Sequence, residues 1–410
     1  MGIVFHSKNK RKIINDPLYG FVTLPNDLVY DLIENSYFQR LRRIKQLGLT
    51  NLVYPGALHT RFHHCIGAMS LMDKALNILE KKGIQINPDE KEGALAAILL
   101  HDIGHGPFSH TLENTIIQIS HEQISIAFMK RLNQQLGGKL DLAIDIFLNK
   151  YHKKFLHQLI SSQLDVDRLD YLRRDSFYTG VSEGIISYER IINMLNVHQN
   201  ELVVEEKGIY SIEKFIIARR LMYWQVYLHK TTVAADEVLK KALKRAKIII
   251  ENDGKLPSSS SLNFFLVHDF NKDSLRQDHV LEQFALLDDS DIISALKEWS
   301  NCKDPILSNL SSKIINRRLP HILFGKHHFN DSKVNIILDQ LKNNGMSDEE
   351  INYYTSSGEV ENEAYKNAGG EIKILRKDGS IEDLAVASDN YNINALKDAV
   401  KKPFFIFPRS

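Results

Sequence analysis

Residues 93–100 read GALAAILL, and His101 and Asp102 follow at once. A helix that is apolar on every side cannot lie on a surface, so other elements must enclose it and carry the His-Asp pair at its end inward. Pro88-Asp89-Glu90 supplies the opening of this helix, and Gly104, Gly106 and Pro107 supply its close. Burying titratable groups costs several kcal/mol unless they are paired or bound. This one segment therefore calls for a helical enclosure and for partners to the pair.

The flanking sequence supplies that enclosure. Between Pro25 and Gly48 the residues Leu28, Leu32, Ile33, Phe38, Leu41, Ile44 and Leu47 recur near helical spacing, which predicts a helix broken near Asn35 and capped at Gly48. Residues 59–82 predict a second helix, ended by Lys81-Lys82-Gly83. Further helices are expected at 121–136, 141–149, 152–162, 165–175, 187–196 and 211–250, with a short hairpin at 202–212. With 410 residues the chain exceeds a comfortable single core of roughly 250–300. The expected division is a helical core at 1–250, a helical extension and linker at 251–310, and a small α+β domain at 311–410. In that last part residues 372–376 and 403–408 read as strands. The fold class expected is mostly α, a helical bundle with a small C-terminal α+β domain.

Composition excludes several functions. Lysine and arginine total 52 against 51 aspartate and glutamate, a net charge of +1, so no global field holds nucleic acid or an anionic membrane. The basic runs KNKRK (8–12) and KKALKRAK (240–247) read as solvated helix faces or frayed ends, and nucleic acid is an unexpected partner. No apolar run reaches about 18 residues, so no membrane span is expected. The N-terminus shows no leader pattern, and Cys65 and Cys302 form no disulfide framework or zinc spacing, which together lead to an expected cytoplasmic location.

Seven of the 17 histidines fall between His59 and His121. A lone histidine is usually structural, but the run HDIGHGPFSH at 101–110 joins a His-Asp doublet to a glycine-rich turn bearing two more histidines. Adjacent helical residues diverge by about 100°, so other segments must complete any shared ion site. His64 and the carboxylates of DVD at 165–167 are the candidates. Two imidazole nitrogens and two carboxylate oxygens leave open positions on a six-coordinate ion, which suits hydrolysis with one divalent metal: Mn, Fe, Ni, Zn or Mg.

In this order RFHH (61–64), HDIGHGPFSH (101–110), HE (121–122) and DVDRLDYLRRD (165–175) resemble the HD-domain phosphohydrolases. The likeness is to the branch that holds the sterile-alpha-motif and HD-domain deoxynucleotide triphosphohydrolase and its bacterial relatives, and it spans about residues 10–250. The resemblance implies an HD-domain helical bundle with His64, His101, Asp102 and Asp167 as metal ligands. It implies Arg61 and Arg168 as phosphate clamps, His105 and His110 near the α-phosphate, and His121 with Glu122 and Glu113 as the acid–base group. Gln46 and Asp175 match contacts to a sugar 3′-hydroxyl. Leu47 and Tyr227 match residues packed on C2′, and Tyr171 follows the same pattern. Tyr223 stands where the animal relative has histidine. Tyr223, Trp224 and Tyr227 also fit an aromatic core stripe. Asn15, Glu34, Gln39 and Arg42 resemble a site for a guanine nucleotide effector at an oligomer interface, although a charged surface helix is the ordinary explanation for them.

The expected activity is metal-dependent hydrolysis of deoxynucleoside triphosphates at the α-phosphate, giving deoxynucleoside and inorganic triphosphate, in a dimer or tetramer that a nucleotide activates. The same metal site serves a cyclic nucleotide, an alarmone or a nucleoside monophosphate. A non-catalytic nucleotide sensor is the rival from another class.

Overall fold

The computed structural model describes residues 12–409 apart from 109–110, 114, 326–328, 330, 363–364, 366–370, 391–392, 394–395 and 397. The protein is mostly α-helical, and its centre is the helix Pro88–Leu100, in which every residue from Gly93 to Leu100 is buried. A capping box starts it: Asn87 Oδ1 accepts from Glu90 N at 2.9 Å and Glu90 Oε2 accepts from Asn87 N at 2.9 Å. The helices Asp27–Glu34, Arg61–Lys81, Asp141–Phe147 and Lys154–Ile160 pack around it. Helix Val166–Thr179 lies against Arg61–Lys81 and ends at Gly180, whose φ of +75° admits the left-handed cap.

Several expected elements differ in detail. The helix expected to run to Gly48 has its expected break at Asn35, whose extended backbone (ψ 139°) ends one helix while its side chain caps the next at Tyr37 N, but it falls short of Gly48. It stops at Arg43 in a 3-10 turn, because residues 44–46 go extended and bridge to 59–61 (Arg61 N to Ile44 O 2.9 Å, Gln46 N to His59 O 3.0 Å). The helix expected at 211–250 is two, Ile209–Met222 and Lys230–Glu251, joined through a π-helical turn at Tyr223–Tyr227. The hairpin lies earlier than expected, Leu195–His198 with Glu201–Glu205, turning on Gln199 and Asn200, both at positive φ.

The C-terminal strands return to the helical part. Lys373–Leu375 pairs in parallel with Glu201–Glu205 and antiparallel with Ile381–Asp383, extending that hairpin to four strands. Ile372, Ile374, Leu384 and Ile393 join the same buried cluster as the helix residues 94–100. Val400–Phe407 sits between His321–Phe324 and Ser356–Asn362 in a second, three-stranded sheet. Among the described residues no helix is long and apolar enough to cross a membrane.

Candidate active site

A cleft of about 500 Å³ opens between the 44–50 segment, the turn after His101-Asp102, helix Val166–Thr179 and the π-turn. At its edge three elements bring ligating atoms of His64, His101 and Asp167 within 4.8 Å of one another. His64 Nε2 lies 3.2 Å from His101 Nε2 and 3.1 Å from Asp167 Oδ1, and His101 Nε2 lies 3.5 Å from that same oxygen. The opposite ring nitrogens are engaged: His101 Nδ1 with Ile98 O at 2.6 Å, His64 Nδ1 with Asp170 Oδ2 at 2.8 Å. A carbonyl can only accept, so His101 carries its proton on Nδ1, and the Asp170 carboxylate favours the same for His64. With a cation bound both Nε2 lone pairs would point at it beside the Asp167 oxygen, and without one a proton on Nε2 takes that place. The residues fit a divalent metal.

The cluster draws positive charge. Burial opposes charge on His64, yet the Asp167 and Asp170 carboxylates outweigh it and push this imidazole up to about 10. Asp167, despite its burial, is held well below the usual carboxylate range by hydrogen bonds from His101 and His64. Asp102 stands beside the triangle. Its Oδ2 pairs with Arg61, and its Oδ1 lies 3.2 Å from His105 Nδ1 and 3.5 Å from His101 Nε2.

Asp170 was not among the residues expected from sequence, although it sits in the quoted DVDRLDYLRRD run. It is wholly buried and binds Arg174 through both oxygens (2.9 and 3.0 Å), and Arg174 Nη1 reaches Asp16 Oδ2 at 2.8 Å. Gly67 makes room for the pair: a Cβ there would overlap Asp170 Oδ1 and Arg174 Nη2 and lie 2.8 Å from Asp170 Cγ.

The turn after the doublet is braced from two sides. Buried Arg40 donates to Ile103 O at 2.8 Å and His105 O at 2.7 Å, and burial pushes its guanidinium down to about 9. Ser125 Oγ donates to His101 O and accepts from Gly104 N, both at 2.9 Å, which fixes helix His121–Gln135 against the turn. A side chain at Gly104 would lie 2.7 Å from Ser125 Oγ, so the close approach needs glycine.

His121, first residue of its helix, lines the cleft and stacks on His105 with ring centroids 3.9 Å apart. Burial, with the Arg61 charge beside it, pushes His105 down to about 3, so this ring is neutral. Glu113 Oε1 accepts from His121 N at 2.6 Å and faces His121 Nδ1 at 2.7 Å. Glu122 is a correction: it is exposed and does not line the cleft, because one helical step turns it about 100° from His121. His110 lies outside the described residues.

Gln46, Leu47, Arg61, His105, Arg168, Tyr171, Asp175, Tyr223 and Tyr227 all line the cleft. Gln46 Oε1 is buried without a hydrogen-bond partner among the described residues, an orphan acceptor in the wall. Asp175 is held at both oxygens, by His59 Nε2 at 2.7 Å and Tyr227 Oη at 2.8 Å. Tyr227 meets Tyr171 and Tyr223 edge-on at 6.0 and 5.0 Å. Arg168 is paired with Asp165, the cap of its own helix. Thr50, Phe108, Leu228, Thr232 and Asp236 line the cleft as well and carry no sequence motif that marks them. The residues expected at an effector site lie elsewhere. Gln39 Nε2 donates to Ile33 O at 2.7 Å and Gln39 Oε1 accepts from Arg42 Nε at 2.8 Å, while Asn15 and Glu34 are exposed.

A helical bundle that seats a buried His-Asp doublet beside a second histidine and a distant aspartate defines the HD class of hydrolases. Residues 61–175 match the HD domain family and residues 186–257 match the HD associated region. YwfO, an uncharacterized protein of Bacillus subtilis, is 33% identical over 92% of this chain and 88% of its own length. The crystal structure of a phosphohydrolase from Bacteroides thetaiotaomicron is 50% identical, covers 98% of this chain and 100% of that one, and superposes with a TM-score of 0.93. The human deoxynucleoside triphosphate triphosphohydrolase SAMHD1 is 29% identical across 59% of this chain and 46% of its own length, so the match spans about half of that enzyme. The chain belongs to the HD-domain phosphohydrolases, and its class is metal-dependent phosphohydrolase.

Proposed function

We propose that the protein hydrolyses deoxynucleoside triphosphates at the α-phosphate to deoxynucleoside and inorganic triphosphate. The observation that carries this reading is one cleft lined both by Asp167, a corner of the His64–His101–Asp167 triangle, and by Gln46, Leu47, Asp175 and Tyr227. A divalent ion held by His64, His101, Asp102 and Asp167 would supply Lewis acidity and a water of lowered pKa; ligand type leaves Mn, Fe, Ni, Zn and Mg open. Arg61 and Arg168 offset charge that builds on the phosphoryl oxygens. His121 gives its Nε2 proton to the departing 5′-oxygen, with Glu113 holding Nδ1 and so fixing the ring. Leu47 and Tyr227 line the cleft where the resemblance sets C2′ and would exclude a 2′-hydroxyl, and Asp175 would accept from the 3′-hydroxyl.

The finer features of the reading are a cytoplasmic homo-oligomer and a guanine nucleotide bound at Asn15, Glu34, Gln39 and Arg42. The support for that second site is the Gln39–Arg42 hydrogen bond beside Phe62, whose ring lies 3.6 Å from the Arg42 guanidinium and which precedes the His63-His64 pair. The test is product analysis with Mn and each dNTP and rNTP, with and without GTP. Free deoxynucleoside in equal amount to triphosphate is the expected result, and pyrophosphate or orthophosphate alone refutes it. A protein that binds dNTP and metal yet turns over nothing is a sensor.

A further inference from the structure

The side of the cleft that carries Gln46 and Leu47 is built from two segments distant in sequence, 44–50 and 105–108, and among the described residues no backbone hydrogen bond joins them. Besides the contact of the Lys45 ammonium with the Phe108 ring, a carboxylate from a third place joins them. Asp289, first residue of the helix Asp289–Trp299, is 5% exposed. Its Oδ2 accepts from Lys45 N at 3.0 Å and its Oδ1 accepts from Phe108 N at 3.2 Å. Lys45 immediately precedes Gln46 and Leu47. Phe108 holds a left-handed backbone (φ +52°), which a non-glycine residue adopts only under restraint, and it sits against Gly48, whose added Cβ would be 3.7 Å from Phe108 Cα. Gln46, Leu47, Gly48 and Phe108 all line the cleft. Each oxygen of Asp289 therefore fixes one half of the wall.

We infer that Asp289 is a positioning residue for substrate recognition: by holding the Lys45 and Phe108 amides together it sets the width of the cleft at the sugar. It lies outside both matched segments, 61–175 and 186–257. The inference rests on the nucleotide reading above for its substrate but not for its geometry. Neighbouring Asp288 does a different job, capping the helix at Ser290 N (2.8 Å) and pairing with half-exposed Arg43.

The test compares the full-length protein with D289N and D288N. Asparagine has one acceptor oxygen, so D289N can keep only one of the two amides, and its NH2 faces the other. D289N is expected to raise KM for dNTP about tenfold with kcat within about twofold, whereas D288N leaves both unchanged. Hydrogen exchange at the Lys45 and Phe108 amides, read in the absence of nucleotide and metal, is expected to quicken in D289N and not in D288N. Unchanged exchange at both amides overturns the inference, as does a D289N that is less stable but keeps its wild-type KM. Wild-type protein that binds no dNTP refutes the substrate reading instead, and the exchange measurement still decides the role of Asp289.

Discussion

Replacing Gly67 by alanine tests how the metal edge is built. The added Cβ would overlap both partners of the Asp170–Arg174 pair, which lies between two packed helices with neither side chain exposed. Helix propensity alone favours alanine by about 1 kcal/mol. Breaking a buried ion pair costs about 3–5 kcal/mol, so the expected net loss of stability is about 2–4 kcal/mol. Asp170 also holds His64 Nδ1, and loss of such a support weakens metal affinity about 10–100-fold. Thermal unfolding and calorimetric titration with Mn read the two effects separately. Because the apo stability falls before any metal is added, the two losses must appear together in G67A. G67A with wild-type stability and Mn affinity would refute the claim that this ion pair organises the histidines.

Three further outcomes follow from the same geometry. E113Q removes the charge that orients His121 while keeping one acceptor, and kcat is expected to fall about tenfold or more with KM little changed in steady-state assays. Y227F loses the bond to Asp175 Oδ2, so the ratio of kcat/KM for dNTP over rNTP is expected to narrow several-fold when both are measured side by side. Burial raises Asp289 from the ordinary carboxylate value to about 6. The folded state therefore binds its proton more tightly than the unfolded chain. The stability attached to that proton is present below about pH 4 and lost as pH rises through about 6, by at most about 3 kcal/mol. Denaturant titrations between those limits should show this downward slope in wild type relative to D289N.

The central helix was legible because an apolar run on every side leaves a helix only one place to lie, and residues 93–100 are all buried. Spacing marked His64, His101 and the carboxylates of 165–167 as candidates and the resemblance singled out Asp167, whereas Asp102, expected as a fourth ligand, stands beside the triangle paired with Arg61. What pattern could not supply was the support behind them. Asp170 reads as one more carboxylate on a charged helix, and its role depends on the glycine opposite it. Asp289 reaches the cleft from a helix some 180 positions beyond Phe108, a distance no local signal bridges. Tyr223 and Tyr227 fitted one face of a continuous helix, and the pattern gave no sign that the helix breaks there into a π-turn bordering the cleft. Glu122 adjoins His121 while Glu113 stands eight positions before it, yet the loop folds Glu113 back onto the imidazole and helical geometry turns Glu122 to solvent.

The most direct measurement is hydrolysis of a dNTP in heavy-oxygen water with Mn, followed by mass analysis of both products. Attack at the α-phosphorus breaks the bond from phosphorus to the 5′-oxygen, so one heavy oxygen must appear in the inorganic triphosphate and none in the deoxynucleoside. Label in the deoxynucleoside, or release of pyrophosphate or orthophosphate without inorganic triphosphate, would contradict the account.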